Sequence, residues 1–212
     1  MKTRINFSNQ AKFEKPLLMF LAGYSTNHLH EKIDKDFSLS KYQMLQLFTY
    51  YFLNPDSNNF VHNIPIEPLS KLIGCSIRSI KNSNIELSNK ELISYTTYEH
   101  KYLTFKLHTK DNSFFDHNIV ESEYILIRKG VLLHILEANN INSIRIIFRF
   151  ILRLNEVDMI NDKGSCYYSY NDLKRFLPSN INHKKIIDDL VLESISIFNI
   201  DFVENGVIVS FK

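Results

Sequence analysis

The sequence predicts a helix-rich α+β chain: two tandem modules of similar build, with an additional N-terminal helical segment. Three observations carry this. Apolar residues recur at helical spacing in several separate runs. Two stretches rich in β-branched and aromatic residues, each broken at a polar tip, read as hairpins. The order helix, loop, short helix, turn, helix, hairpin occurs twice. A chain of 212 residues accommodates one large domain or two small ones.

Residues 1–37 are predicted as an N-terminal helical extension around FEKPLLMFLAG, with Pro16 suited to a first helical turn. The first module spans 38–112. It opens with SLSKYQMLQLFTYYFLN, where Ser38 or Ser40 can cap and Leu45, Phe48, Phe52 and Leu53 form the stripe. NPDSNN (54–59) is a loop. IPIEPLSKLIG is a short helix with Leu69, Leu72 and Ile73 inward, stopped at Gly74. A further helix follows from Ser76. LISYTTYEHKYLTFKLH then gives two strands joined near Tyr98–Lys101. Residues 113–142 are a linker with one strand and one helix, in YILIRKGVLLHILEANN.

The second module spans 143–212. In NSIRIIFRFILRLNE, Ser143 can cap, and Ile144, Ile147, Phe148, Ile151 and Leu152 form the stripe. VDMINDKGS is the loop. In YSYNDLKRFLP, Ser169 and Asp172 stand at capping-box spacing and Pro178 ends the helix. SNINHKKIIDDLVLES is the next helix, and ISIFNIDFVENGVIVSFK gives two strands around the turn signal Asn205-Gly206. Leu87 aligns with Leu190 and Leu92 with Ile195, at an offset of 103.

Composition removes several classes. The apolar share of 44% and charged share of 23% are those of an ordinary globular protein, and five Gly with five Pro exclude collagen-like or proline-rich chains. No run approaches the ~18 apolar residues of a membrane helix. MKTRINFSNQAKFEK lacks the apolar core of a signal peptide, so a cytoplasmic location is expected. Cys75 and Cys166 stand far apart without a CxxC, and reduced thiols are expected. His28 and His30 are the one close histidine pair, weak grounds for a metal. There is no GxxxxGK loop, GxGxxG, HExxH or GxSxG. The expectation is a non-enzyme with no catalytic residue, no metal and no cofactor. Asp34/Asp36 and Asp188/Asp189 read as solvated pairs.

The stretch GCSIRSIKNSNIELSNKELI (74–93), within the twice-repeated order, resembles the winged helix-turn-helix superfamily. The resemblance covers 42–107 and 143–212, and it is similar in layout to plasmid and phage replication initiators and to two-lobed bacterial transcription regulators. It implies two tandem winged helix-turn-helix modules that contact double-stranded DNA through the third helix and the hairpin, or wing.

With Ser76 at the N-cap, Ile77, Ile80, Asn84 and Leu87 share the inward face, and Arg78, Ser79, Asn82, Glu86 and Asn89 point outward with Lys81 on the flank. Arg matches guanine and Asn matches adenine with two hydrogen bonds each; Ser and Lys suit phosphate. The candidate DNA contacts are therefore Ser76, Arg78, Ser79, Lys81 and Asn82. Tyr98, His100 and Lys101 at the hairpin tip join them, with Glu99 opposing. The same residues also fit a plain polar surface helix and an exposed turn. Cys75 precedes this helix and reads as a small half-buried turn residue, with a thiol whose pKa the helix N-terminus would lower as the alternative.

Charge divides unevenly. Residues 1–112 hold 14 basic against 10 acidic side chains, 113–154 hold 5 against 4, and 155–212 hold 6 against 9. A polyanion would prefer the first half. In the second module Lys184 and Lys185 each precede an aspartate by four positions, and Asp201 and Glu204 lie in the hairpin. Dimerisation or a protein partner fits that module better. Arg145, Arg149 and Arg153, at i, i+4, i+8, form a basic line that either contacts a backbone or partner or is a solvated face. The resulting expectation is a sequence-specific regulator of a plasmid, phage or other mobile element, acting as a homodimer. The alternatives are a replication initiator binding origin repeats, and a scaffold that binds only protein.

Overall fold

The computed structural model describes residues 5–23, 39–99, 101–108, 124–158 and 164–212. The fold is α+β, with three small antiparallel sheets among the described residues. The chain divides into two compact units, Met1–Leu17 with Lys35–Leu136, and Leu18–Asp34 with Glu137–Lys212.

In unit 1, β1 (Gln10–Glu14) alternates exposed and buried residues and places Phe13 inward, where it stacks on Phe48 and Tyr51 at 4.7 and 4.8 Å. The sequence division assigns this segment to a helical extension. The structure corrects that: the stretch 10–14 is a strand, and only α1 (Lys15–Leu21), with Pro16 in its first turn, is helical. α2 (Lys41–Tyr50) is closed by a capping box between Ser40 and Gln43. β2 (Phe60–Pro65) follows the loop, then α3 (Ile66–Ile73), α4 (Ile77–Asn89), β3 (Ile93–Glu99) and β4 (Tyr102–Leu107). The sheet order is β2-β4-β3. β5 (Tyr124–Arg128), predicted as linker, pairs antiparallel with β1, and α5 (Lys129–Glu137) comes next. Both ends of unit 1's sequence thus meet in one two-stranded sheet.

α3 stops at Gly74, whose φ of 75° is the left-handed conformation glycine adopts without strain, and whose N–H donates to the Ser70 carbonyl. Leu69, Ile73, Ile80, Leu87, Leu103 and Phe105 are buried. Complete burial of one such side chain stabilises by about 1.5–3 kcal/mol.

Unit 2 repeats the frame. α6 (Ile141–Asp158) starts where the Asn142 N–H donates to Asn140 Oδ1, two residues after that cap and ahead of the predicted Ser143. The predicted stripe is buried, and Ile146, Phe150 and Leu154 are buried beside it. β6 (Ser165–Ser169), α7 (Tyr170–Phe176), α8 (Lys184–Leu192), β7 (Phe198–Val203) and β8 (Gly206–Phe211) follow, with the sheet order β6-β8-β7. The Ser169–Asp172 capping box forms as predicted. Val203 pairs with Gly206, so the turn is Glu204-Asn205 rather than Asn205-Gly206. Gly206 is needed for space instead: a Cβ there would lie 2.1 Å from the Tyr168 carbonyl oxygen.

Leu87 and Leu190 are both buried, as their alignment requires, but Ile195 is 48% exposed. In the hairpins the offset grows: the closing pairs Glu99–Tyr102 and Val203–Gly206 differ by 104, and Ile93 and Phe198, which pair with Leu107 and Phe211, differ by 105, so the buried Leu92 corresponds to the buried Ile197. Among the described residues, no helix is long and apolar enough to cross a membrane.

Candidate nucleic-acid interface

The site is built on α4 and the β3–β4 hairpin of unit 1. Ser76 Oγ accepts the Ser79 N–H at 3.0 Å, and the two hydroxyls lie 2.9 Å apart. The cap therefore engages Ser76 and Ser79 with each other. Arg78, Lys81 and Asn82 are exposed on the outer face. Among the described residues, no hydrogen bond or ion pair ties down the Arg78 or Asn82 side chain. Lys81 Nζ lies 4.9 Å from the centre of the Tyr98 ring, which brings the helix flank and the hairpin together. At the tip Lys101 is exposed, and its carbonyl accepts the Ile66 N–H, tying the tip to the start of α3. His100 lies outside the described residues.

The inward face departs from expectation. Ile77 is 42% exposed, and Ser83 takes an inward place beside Ile80, Asn84 and Leu87. Helix geometry accounts for the shift: 80, 83, 84 and 87 are spaced by three and four, and Ile77 sits in the first turn.

Asn84 is 1% exposed, and both ends of its amide are hydrogen-bonded. Its Oδ1 accepts from Gln46 Nε2 at 2.6 Å and from the Tyr50 hydroxyl at 2.7 Å, while its Nδ2 donates to the Tyr98 hydroxyl at 3.0 Å. Gln46 Nε2 also lies 2.6 Å from the Tyr50 hydroxyl and 3.2 Å from the Ile80 carbonyl. A chain of hydrogen bonds thus runs from inside α2, through α4, to the hairpin. Burial holds the Tyr50 and Tyr98 hydroxyls above the ordinary tyrosine range, so both stay protonated. In sequence Gln46 is a position on an apolar helix, and Tyr50 reads with Tyr51 as core material or an interface pair. The one visible signal was an asparagine on an inward face.

Cys75 is half-buried, and burial raises its thiol pKa. The direction is opposite to the lowering expected from a helix N-terminus.

In unit 2 the arginine line is not one surface. Arg149 is 3% exposed; its Nε donates to the Ala22 carbonyl at 2.8 Å and its guanidinium lies 3.7 Å from the Phe176 ring centre. It holds the Ala22 and Gly23 carbonyls, which belong to the same unit, rather than facing a phosphate. Arg145 is partly buried, which lowers its pKa. Arg153 is exposed and paired with Glu156 at 3.3 Å. The expected Lys184–Asp188 neutralisation is replaced by contacts to Tyr170: Lys184 Nζ lies 4.8 Å from the ring centre, and Asp188 Oδ1 accepts the Tyr170 hydroxyl at 2.8 Å. Burial and then this carboxylate push Tyr170 up to about 12.

Among the described residues, no group of three His, Cys, Asp or Glu side chains is placed to hold a metal ion. His28 and His30 lie outside them. No protein-family profile matches the chain, and no curated protein matches it significantly.

Proposed function

We propose that the chain is a sequence-specific double-stranded DNA-binding protein made of two winged helix-turn-helix modules, and that it regulates transcription on a mobile element. One observation carries this reading. In the frame α2-β2-α3-α4-β3-β4, with sheet order β2-β4-β3, the third helix presents Arg78, Lys81 and Asn82 outward beside the hairpin tip. Arg78 and Asn82 suit base edges in the major groove, while Lys81, Ser79 and Lys101 suit phosphates. Unit 2 has the same frame, but Asp201 and Glu204 are exposed on its hairpin, which fits a protein surface such as a homodimer contact.

Selection of bound sequences from a random duplex pool, with the Arg78→Ala protein beside it, tests the reading. An enriched motif that loses one defined base position in Arg78→Ala supports it. A palindrome would favour the regulator, and direct repeats would favour an origin-binding initiator. No duplex binding at low salt would sink DNA binding altogether and favour a protein-binding scaffold.

A further inference from the structure

The two units allow a comparison within one chain. Gln46 and Tyr50 fall six and ten residues after the Ser40 cap of α2; Ile146 and Phe150 fall six and ten after Asn140 at the start of α6. Asn84 lies three residues before the buried Leu87, and Ile187 lies three before the buried Leu190. Tyr98 pairs with Leu103 one step before the hairpin closes; Phe202 pairs with Val207 one step before the other closes. Thus Gln46, Tyr50, Asn84 and Tyr98 in unit 1 stand where Ile146, Phe150, Ile187 and Phe202 stand in unit 2. All four polar positions become apolar, and two of the changes remove only a hydroxyl.

The frame therefore folds around an apolar set at these positions. The polar set costs desolvation, and Gln46 Oε1 is buried with no hydrogen-bond partner among the described residues. Folding alone gives no reason to keep it. What the polar set adds is direction, since apolar contacts fix no hydroxyl orientation. The Asn84 amide donates to the Tyr98 oxygen, leaving the Tyr98 hydrogen available to an outside acceptor such as a phosphate oxygen. The same bond holds the ring beside Lys81.

We propose that the Gln46–Tyr50–Asn84–Tyr98 hydrogen-bond chain is a positioning device that locks the wing to the reading helix, so that both engage one DNA register together. The proposal rests on the reading of unit 1 as the DNA-contacting module. Gln46, Tyr50 and Asn84 act through Tyr98 and Lys81 without touching DNA.

The test installs unit 2's residues in unit 1 as the triple variant Gln46→Ile, Tyr50→Phe, Asn84→Ile, in the full chain, leaving every candidate contact in place. Two affinities are measured for wild type and variant: for the selected duplex and for a random duplex. The expected variant melts no lower than wild type and binds random duplex equally well. Its preference for the selected site falls about tenfold or more, and the amides of residues 97–99 and 101–103 exchange faster with solvent. Unchanged discrimination in a folded variant overturns the proposal while leaving DNA binding intact. If wild type itself binds no duplex, the DNA reading fails and takes this proposal with it. Should the triple variant misfold, Tyr98→Phe decides. Removing that one hydroxyl, itself a candidate phosphate contact, is read without DNA: hairpin amide exchange is expected to speed up about fivefold, the scale of one hydrogen bond. Unchanged exchange there overturns the proposal equally.

Discussion

At single residues, similar sequence features have opposite physical meanings. Gly74 and Gly206 both sit at turns, but Gly74 has open space and a positive φ, whereas Gly206 has no room for a Cβ. Gly74→Ala is expected to cost about 1–2 kcal/mol from backbone strain alone. Gly206→Ala should cost about 3 kcal/mol or more, because the obstacle is backbone rather than a movable side chain. Chemical denaturation of the two variants checks the order. The cysteines also separate. Cys166 is buried, and burial pushes its thiol up to about 11, while Cys75 is half-exposed with a smaller rise. At mildly alkaline pH, iodoacetamide should label Cys75 well before Cys166; the reverse order would contradict these environments. On α4, Arg78→Ala should cost about 1–3 kcal/mol at one base position, whereas Lys101→Ala should weaken binding to all sequences alike.

Among elements, the helices of unit 1 were legible because their ends are written locally. Ser76 and Gly74 each act within a few residues of themselves and are visible in the sequence, which leaves the cap of α2 open between Ser38 and Ser40; the structure takes Ser40, with Gln43 completing a capping box. Strands β1, β2 and β6 were not. Each is short, and each exists because a distant partner, β5, β4 or β8, supplies its hydrogen bonds. β2 is broken by a register shift between Val61 and Ile64, so it carries almost no alternation to read. The candidate site was legible in part for the same reason. Arg78, Lys81 and Asn82 follow from the cap and the helical period. The hydrogen-bond chain behind them joins residues up to 52 positions apart, Gln46 to Tyr98, which no local pattern encodes. The spacing of Arg149 matches an exposed row, but the Ala22 carbonyl that holds it is 127 residues away, so its burial has no local signature. Ser76→Ala should lower thermal stability by about 1 kcal/mol, since one α4 N–H loses its acceptor. Melting with no loss would show that this cap bond contributes nothing to stability.

Across the whole molecule, charge is divided more sharply than the net of +2 implies. The surplus of cations lies in residues 1–112 and the surplus of carboxylates in 155–212. Duplex affinity should fall steeply with salt, with a slope set by phosphate contacts. The double variant Arg78→Ala, Lys81→Ala should lose about tenfold or more in affinity and flatten that slope. The double variant Lys184→Ala, Lys185→Ala should change affinity by less than about twofold, because the surrounding carboxylates already repel the polyanion. Equal losses in both would mean that both units meet DNA and would favour the initiator.

The sealed hydroxyl of Tyr50 also makes unit 1 an optical gauge of its own integrity. The chain has 11 tyrosines and no tryptophan. Burial raises Tyr50 and Tyr51 above their ordinary range, so the folded state favours their neutral forms. That contribution is complete below the unfolded value of about 10 and is lost as pH rises past it. After a jump to strong alkali, two tyrosinates should therefore appear late, in step with the loss of far-ultraviolet dichroism. Immediate ionisation of every tyrosine in a chain that still holds its helices would show that the seal is open.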